Sequence, residues 1–190
     1  MTVAQQTKFG IEDYIEAGKE NQYWYEESYA SAVRWCAKNN FDTTKFISAV
    51  AILSPRVQLI RNVKLAKQWF AERDATSMMT QRILALLQYD YDGTVSGTKV
   101  NDFRNSLLLV PDTVTIDIHM SRIFGYRKGE LMRTSNYWSG QRNLYKSVVR
   151  MHADHHNMTT YGMQACMWCG YLKLDCDYTD DRFAPMDFSD

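Results

Sequence analysis

"SGTKVNDFRNSLLLVPDTVTIDIHMSR" runs from Ser96 to Arg122, and its reading decides the fold. A glycine leads into a lysine at position 99, an apolar-periodic run ends before Pro111, and an aspartate at position 117 opens a second such run. Apolar residues three and four apart mark amphipathic helices, so the stretch reads as helix, break, helix, the first opening at Thr98 or Lys99. Proline removes a backbone donor and disfavours helical geometry at the residue before it, which explains the stop. Asp117 has the side chain of an N-cap, and Lys99 falls in a first turn, where the helix dipole is positive. Two readings of this pair stay open. In one, Asp117 caps its helix and Lys99 is a solvated cation. In the other, a carboxylate and an amine are placed for chemistry, and the unfavourable position of the cation favours the uncharged, nucleophilic amine.

Working upstream, "QRILALLQYDYDGTVSGTKVNDFRNSLL" (81–108) is helix, glycine turn, helix. Such a hairpin can offer the amides of its turn and of the second helix's amino terminus to a phosphate. Before it, "VQLIRNVKLAKQWFAERD" (57–74) predicts an amphipathic helix with Leu59, Val63, Ala66 and Phe70 inward. Arg61, Lys64 and Lys67 lie outward and form the most basic helical face of the chain, either a solvated surface or a phosphate contact. "TTKFISAVAIL" (43–53) predicts a central apolar helix, capped by Asp42, stapled by Phe41 and Phe46, and ended by Pro55. "ENQYWYEESYASAVRWCAKNN" (20–40) predicts a helix with Tyr23, Tyr29, Val33 and Cys36 near one face.

No alternating strand pattern, linker or repeat interrupts this succession, so the expected class is all-α. A chain of 190 residues fits one folding unit, compact or two-lobed. Its 22 basic residues balance 22 acidic ones, so no overall field recruits nucleic acid and any such contact must come from a local basic patch. No run approaches the length of a membrane span, and "MTVAQQTKFG" (1–10) has neither the basic start nor the apolar block of a signal peptide. Four cysteines in a chain of this length make no disulfide framework, and a reducing, cytoplasmic setting is expected.

Cys166 and Cys169 lie three apart in "MTTYGMQACMWCGYLKL" (158–174), which reads as a buried helix, so apolar packing is expected of them rather than ligation. "HADHHN" (152–157) puts His152 and His155 on one helical face with Asp154 and His156 nearby. No cysteine pattern or glutamate supports a site of known geometry there, and neither metal nor cofactor is expected. His119 reads as a packing or hydrogen-bonding residue.

The order of these motifs resembles the helix-hairpin-helix DNA glycosylases of the endonuclease III type, in which a Gly-x-Gly-x-Lys hairpin is followed by Val-Asp-Thr-His-Val and an arginine. Here "SGTK" (96–99) precedes "TIDIHMSR" (115–122), and "FISAVAILSPRVQLIRNVKLAKQWF" (46–70) is similar to the family's apolar helix, Leu-Ser-x-Gln turn and following helix. The resemblance spans roughly residues 42–125. It implies a compact, two-lobed helical domain over residues 1–190, binding double-stranded DNA as a monomer. It assigns Lys99 as the Schiff-base lysine, or else a phosphate-contacting cation, and Asp117 as the catalytic aspartate. Gly97 and Thr98 belong to the hairpin, His119 and Arg122 flank the site, and Arg56 stands where a glutamine usually wedges into the vacated base stack. Tyr23, Trp24 and Tyr25 either stack on a base or belong to the core.

Val95 stands at the hairpin's first glycine, the segment from Arg56 to Lys99 is shorter than in larger members, and the gaps between Cys166, Cys169 and Cys176 do not match the family's iron–sulfur form, so no cluster is expected. The reduced size is similar to small phage and prokaryotic members. The implied function is a DNA glycosylase with abasic-site lyase activity, in repair or in attack on modified DNA. The alternatives are a phage-type base-modifying enzyme on the same fold and a catalytically silent DNA-binding module.

Overall fold

The computed structural model describes residues 8–55, 57–125, 136–178 and 183–189. All regular secondary structure among them is helical. In chain order the helices are α1 (Ile11–Gly18), α2 (Trp24–Asn39), α3 (Thr43–Leu53), α4 (Leu59–Glu72), α5 (Thr80–Asp92), α6 (Thr98–Leu107), α7 (Ile118–Ile123), α8 (Asn136–His156) and α9 (Thr160–Cys176). No helix of the described residues is long and apolar enough to cross a membrane. The chain divides into two compact units, each built from two separate segments. One takes Met1–Tyr25 and Pro111–Phe183, the other Glu26–Val110 and Ala184–Asp190.

The second unit is built on α3, in which every residue from Phe46 to Leu53 is buried. Asp42 caps it as expected, its carboxylate accepting from the Lys45 amide at 2.7 Å. The rings of Phe41 and Phe46 both meet Trp35 and Phe70, so the two residues expected as a staple are joined through an aromatic cluster. At the other end of α3, the Arg82 guanidinium donates to the carbonyls of Ile52 and Pro55 at 2.9 and 2.7 Å, satisfying acceptors that the helix terminus leaves open. Asn62 of α4 donates to the Val50 carbonyl, and Arg104 of α6 donates to Ser48. Three polar side chains thus tie α4, α5 and α6 to the same apolar helix.

The carboxyl-terminal segment also joins this unit. Ser28 accepts from the Met186 amide at 2.9 Å, Ser31 accepts from the Phe188 amide at 2.8 Å, and the Phe188 ring packs on Phe46. These bonds correct the sequence reading of α2. Its inward face in this unit carries Ser28, Ala32, Trp35 and Cys36, whereas Tyr23 precedes the helix and is exposed.

The first unit is built on α9, which is buried along most of its length, Cys166 and Cys169 included. Helix α1 crosses it at backbone contact. A Cβ on Gly170 would lie 1.9 Å from the Tyr14 carbonyl oxygen, and one on Gly18 would lie 2.0 Å from that of Cys166. Only glycine permits such an approach. The Tyr14 hydroxyl donates to Asp175 near the end of α9, fixing the direction of the crossing. Helices α7 and α8 pack on α9 as well.

Candidate functional site

The predicted hairpin is present in the second unit. Helix α5 ends in Gly93, which is left-handed at φ 75°, and the Asp92 carboxylate accepts from the Thr94 amide to turn the chain. Gly97 then forms the N-cap of α6 at φ 89°, a conformation that favours glycine, and no side chain caps the helix. Gly97, Thr98 and Lys99 are all exposed, so the amides that open α6 face solvent next to a cation. On α4, Arg61 and Lys64 are exposed, as expected of a basic face. Lys67 departs from it: half-buried, its ammonium sits 5.6 Å from the centre of the Trp35 ring, a cation–π contact that turns it toward the core. Arg56 lies outside the described residues.

Asp117 belongs to the first unit, Lys99 to the second. Asp117 is the N-cap of α7, one carboxylate oxygen accepting from the Met120 amide at 2.8 Å, while its backbone carbonyl accepts from Ser121. The carboxylate is half-buried, in front of a polar network that the sequence did not reveal. Gln164 of α9 accepts from the Thr115 amide at 2.6 Å and donates to the Tyr25 hydroxyl at 2.8 Å. Burial, reinforced by the negative charge of Asp117 and opposed by bonds to Thr115 and Gln164, drives the Tyr25 phenol far above its usual range. A neutral phenol and an amide therefore hold the residues leading into Asp117. Tyr25 and Trp24 are buried, which resolves that alternative in favour of packing. Tyr23 alone of the three is exposed.

His119 and Arg122, expected to flank the site, both turn toward Tyr171 of α9. The imidazole lies 5.8 Å from the phenol ring, and the Arg122 charge acts on the same phenol. Burial raises the Tyr171 phenol, and the neighbouring Arg122 offsets part of that rise. Desolvation likewise raises the neighbouring Cys176 thiol, against the opposing pull of nearby Tyr171 and of the Arg122 charge.

A further cluster joins residues far apart in sequence. Glu12 of α1 places one carboxylate oxygen 2.9 Å from His152 Nδ1 and the other 3.2 Å from His156 Nε2. The sequence had paired His152 with His155; the histidine that shares its partner is instead His156, one helical turn on. The missing glutamate comes from the opposite end of the chain.

Residues 11–173, from the start of α1 into α9, match a family described as being of unknown function. The chain belongs to this family, DUF7178. The match covers the hairpin, Asp117 and the Glu12 cluster, whereas the carboxyl-terminal segment that closes on Ser28 and Ser31 lies beyond it. No curated protein and no solved structure gives a significant match to this DUF7178 chain.

Proposed function

We propose that this DUF7178 chain is a DNA glycosylase with associated abasic-site lyase activity, acting on a nucleotide flipped out of double-stranded DNA. The observation that supports the reading best is the α5 to α6 hairpin, with an uncapped, exposed α6 start at Gly97 and Lys99, followed in the chain by a half-buried carboxylate at Asp117. In this reading the open amides at Gly97 and Thr98 hold a phosphate, and Arg61 and Lys64 add cations along the backbone. Arg56 fills the gap left by the extruded base, and His119 and Arg122 keep the flanking roles that the resemblance gives them.

Breaking the base–sugar bond develops positive charge on the sugar. Asp117 would stabilise that charge, or take a proton from the attacking nucleophile. The Lys99 amine attacks C1′ as the base departs, and proton transfer and ring opening give an imine. Loss of a proton from C2′ then expels the 3′ phosphate by β-elimination, which nicks the strand and leaves the imine to be hydrolysed. Extruding the nucleotide costs a few kcal/mol, least where the base is damaged or mispaired.

A second reading rests on one contact. The Asp117 oxygen that accepts from Met120 is doing the work of an ordinary N-cap, as it would in a DNA-binding module without chemistry. Incubation with duplexes carrying one abasic site, and with a panel of damaged and modified bases, separates the two. The enzyme reading predicts strand cleavage at the abasic site and released base from at least one duplex. The binding-module reading predicts retention of DNA with neither product.

A further inference from the structure

We propose that Glu12, His152 and His156 form a binding site for a divalent transition-metal ion of the zinc type, joining α1 to α8. These three are the one group of at least three potential ligands that the described residues bring together, their donor atoms all lying within 4.8 Å of one another. His152 and His156 are four apart on α8, so their rings project from the same face one turn apart. The rings lie 6.5 Å apart between centroids and 26° from parallel. Glu12 comes from α1 and reaches both, one oxygen to each imidazole.

The donor set decides which ion fits. Two imidazole nitrogens and one carboxylate suit zinc, cobalt, nickel or copper, whereas magnesium and calcium prefer all-oxygen shells. Metal–ligand bonds of roughly 2.0–2.2 Å require the donors to stand a little over 3 Å apart, and the two nitrogens already lie 2.9 and 3.2 Å from the carboxylate. With all donor atoms within 4.8 Å of one another, a modest shift of the two rings gathers them around one ion. Three protein donors leave a fourth position of a tetrahedron to water. An entry path exists, since the Glu12 side chain is 62 % exposed while those of His152 and His156 are 14 % and 26 % exposed.

The scaffold holds these donors on helices rather than loops. Helix α1 is fixed by the Gly18 and Gly170 crossing and by the Tyr14 to Asp175 bond, and α8 packs on the same α9. At the start of α1, the Asp13 carboxylate accepts from the Gly10 amide at 2.8 Å, which orders the turn that carries Glu12. Two ligands one turn apart on one helix and a third on a helix anchored to the same partner make a preorganised set. Hydrogen bonding between carboxylate and imidazole orients both groups when no ion is bound. An ion takes the place of those contacts.

The test uses full-length protein without a histidine tag, freed of metal by chelator and titrated with Zn²⁺ by calorimetry and with Co²⁺ by visible absorption. The expected result is one ion per chain, four-coordinate cobalt bands, and an unfolding temperature that rises with free Zn²⁺. His152→Gln, His156→Gln and Glu12→Gln should each weaken binding by about tenfold or more. His155→Gln, beside the site but outside the donor set, should leave it unchanged. All four positions are at least partly open to solvent, and circular dichroism of each variant checks its helicity. Failure of both ions to saturate below millimolar concentration would overturn the proposal. So would affinity undiminished by the His152→Gln, His156→Gln double substitution, or lost equally in His155→Gln.

Discussion

Replacing Gly170 with alanine tests the packing of the first unit. The new methyl carbon would stand 1.9 Å from the Tyr14 carbonyl oxygen, against an ordinary contact that begins near 3.4 Å, so the backbones of α1 and α9 must separate by about 1.5 Å. The obstacle is backbone and cannot swing aside, which puts the cost toward the upper end of the ~1–3 kcal/mol usual for overpacking. Alanine's better helix propensity returns up to about 1 kcal/mol. The net loss is roughly 2 kcal/mol, which lowers the melting temperature of a chain of this size by about 4–8 °C. Gly140 on α8 is the control, because a Cβ there meets nothing within 4 Å. Gly140→Ala should raise the melting temperature by about 2 °C through propensity alone. Thermal unfolding followed by circular dichroism compares the two. A Gly170→Ala protein as stable as wild type would refute the backbone contact, and with it the rigid placement of Glu12.

Burial pushes the Cys166 thiol up to about 11 from an ordinary 9.0, so in the window between those values the unfolded chain ionises while the folded one stays neutral. This contribution to stability is complete below pH 9 and is lost as pH rises toward 11; Cys166→Ala should flatten that part of a plot of unfolding midpoint against pH. Charge reversal of Arg61 and Lys64 should weaken duplex binding for all sequences alike and reduce its salt dependence. Lys67 is left out because its contact with Trp35 mixes packing with charge. Arg82→Met removes both bonds to the end of α3 and should lower stability by about 2–3 kcal/mol, measured by urea unfolding.

Local signals were legible wherever one element carried its own punctuation. Asp42 with Phe41 and Phe46, Pro55, the two glycines of the hairpin and Asp117 each mark a boundary through a bond or dihedral confined to a few residues. Helix α1 escaped notice because its inward face, Tyr14, Ile15 and Gly18, ends in a glycine rather than an apolar side chain. The spacing of Ile11, Tyr14, Ile15 and Gly18 at three and four was the signal that would have found it. The segment through Met186 and Phe188 has no helical period, and its amides bond to serines more than 150 positions away. Lys67 illustrates the limit of a polar-outward rule, since a long cation can lie on an aromatic ring. Of the candidate site, the cap at Asp117 was readable and the Tyr25, Gln164 and Thr115 network behind it was not, because that network joins three distant parts of the chain.

Borohydride trapping on abasic duplex DNA asks whether Lys99 and Asp117 carry the proposed chemistry. Reduction of an imine leaves a stable covalent complex that only an amine nucleophile can produce. Wild-type protein should be trapped and Lys99→Ala should not. Asp117→Asn, nearly isosteric and still able to accept from the Met120 amide, should keep its stability while base release is suppressed. Trapping that persists undiminished in Lys99→Ala, or a wild-type protein that binds abasic DNA without trapping, nicking or base release, would contradict that chemistry.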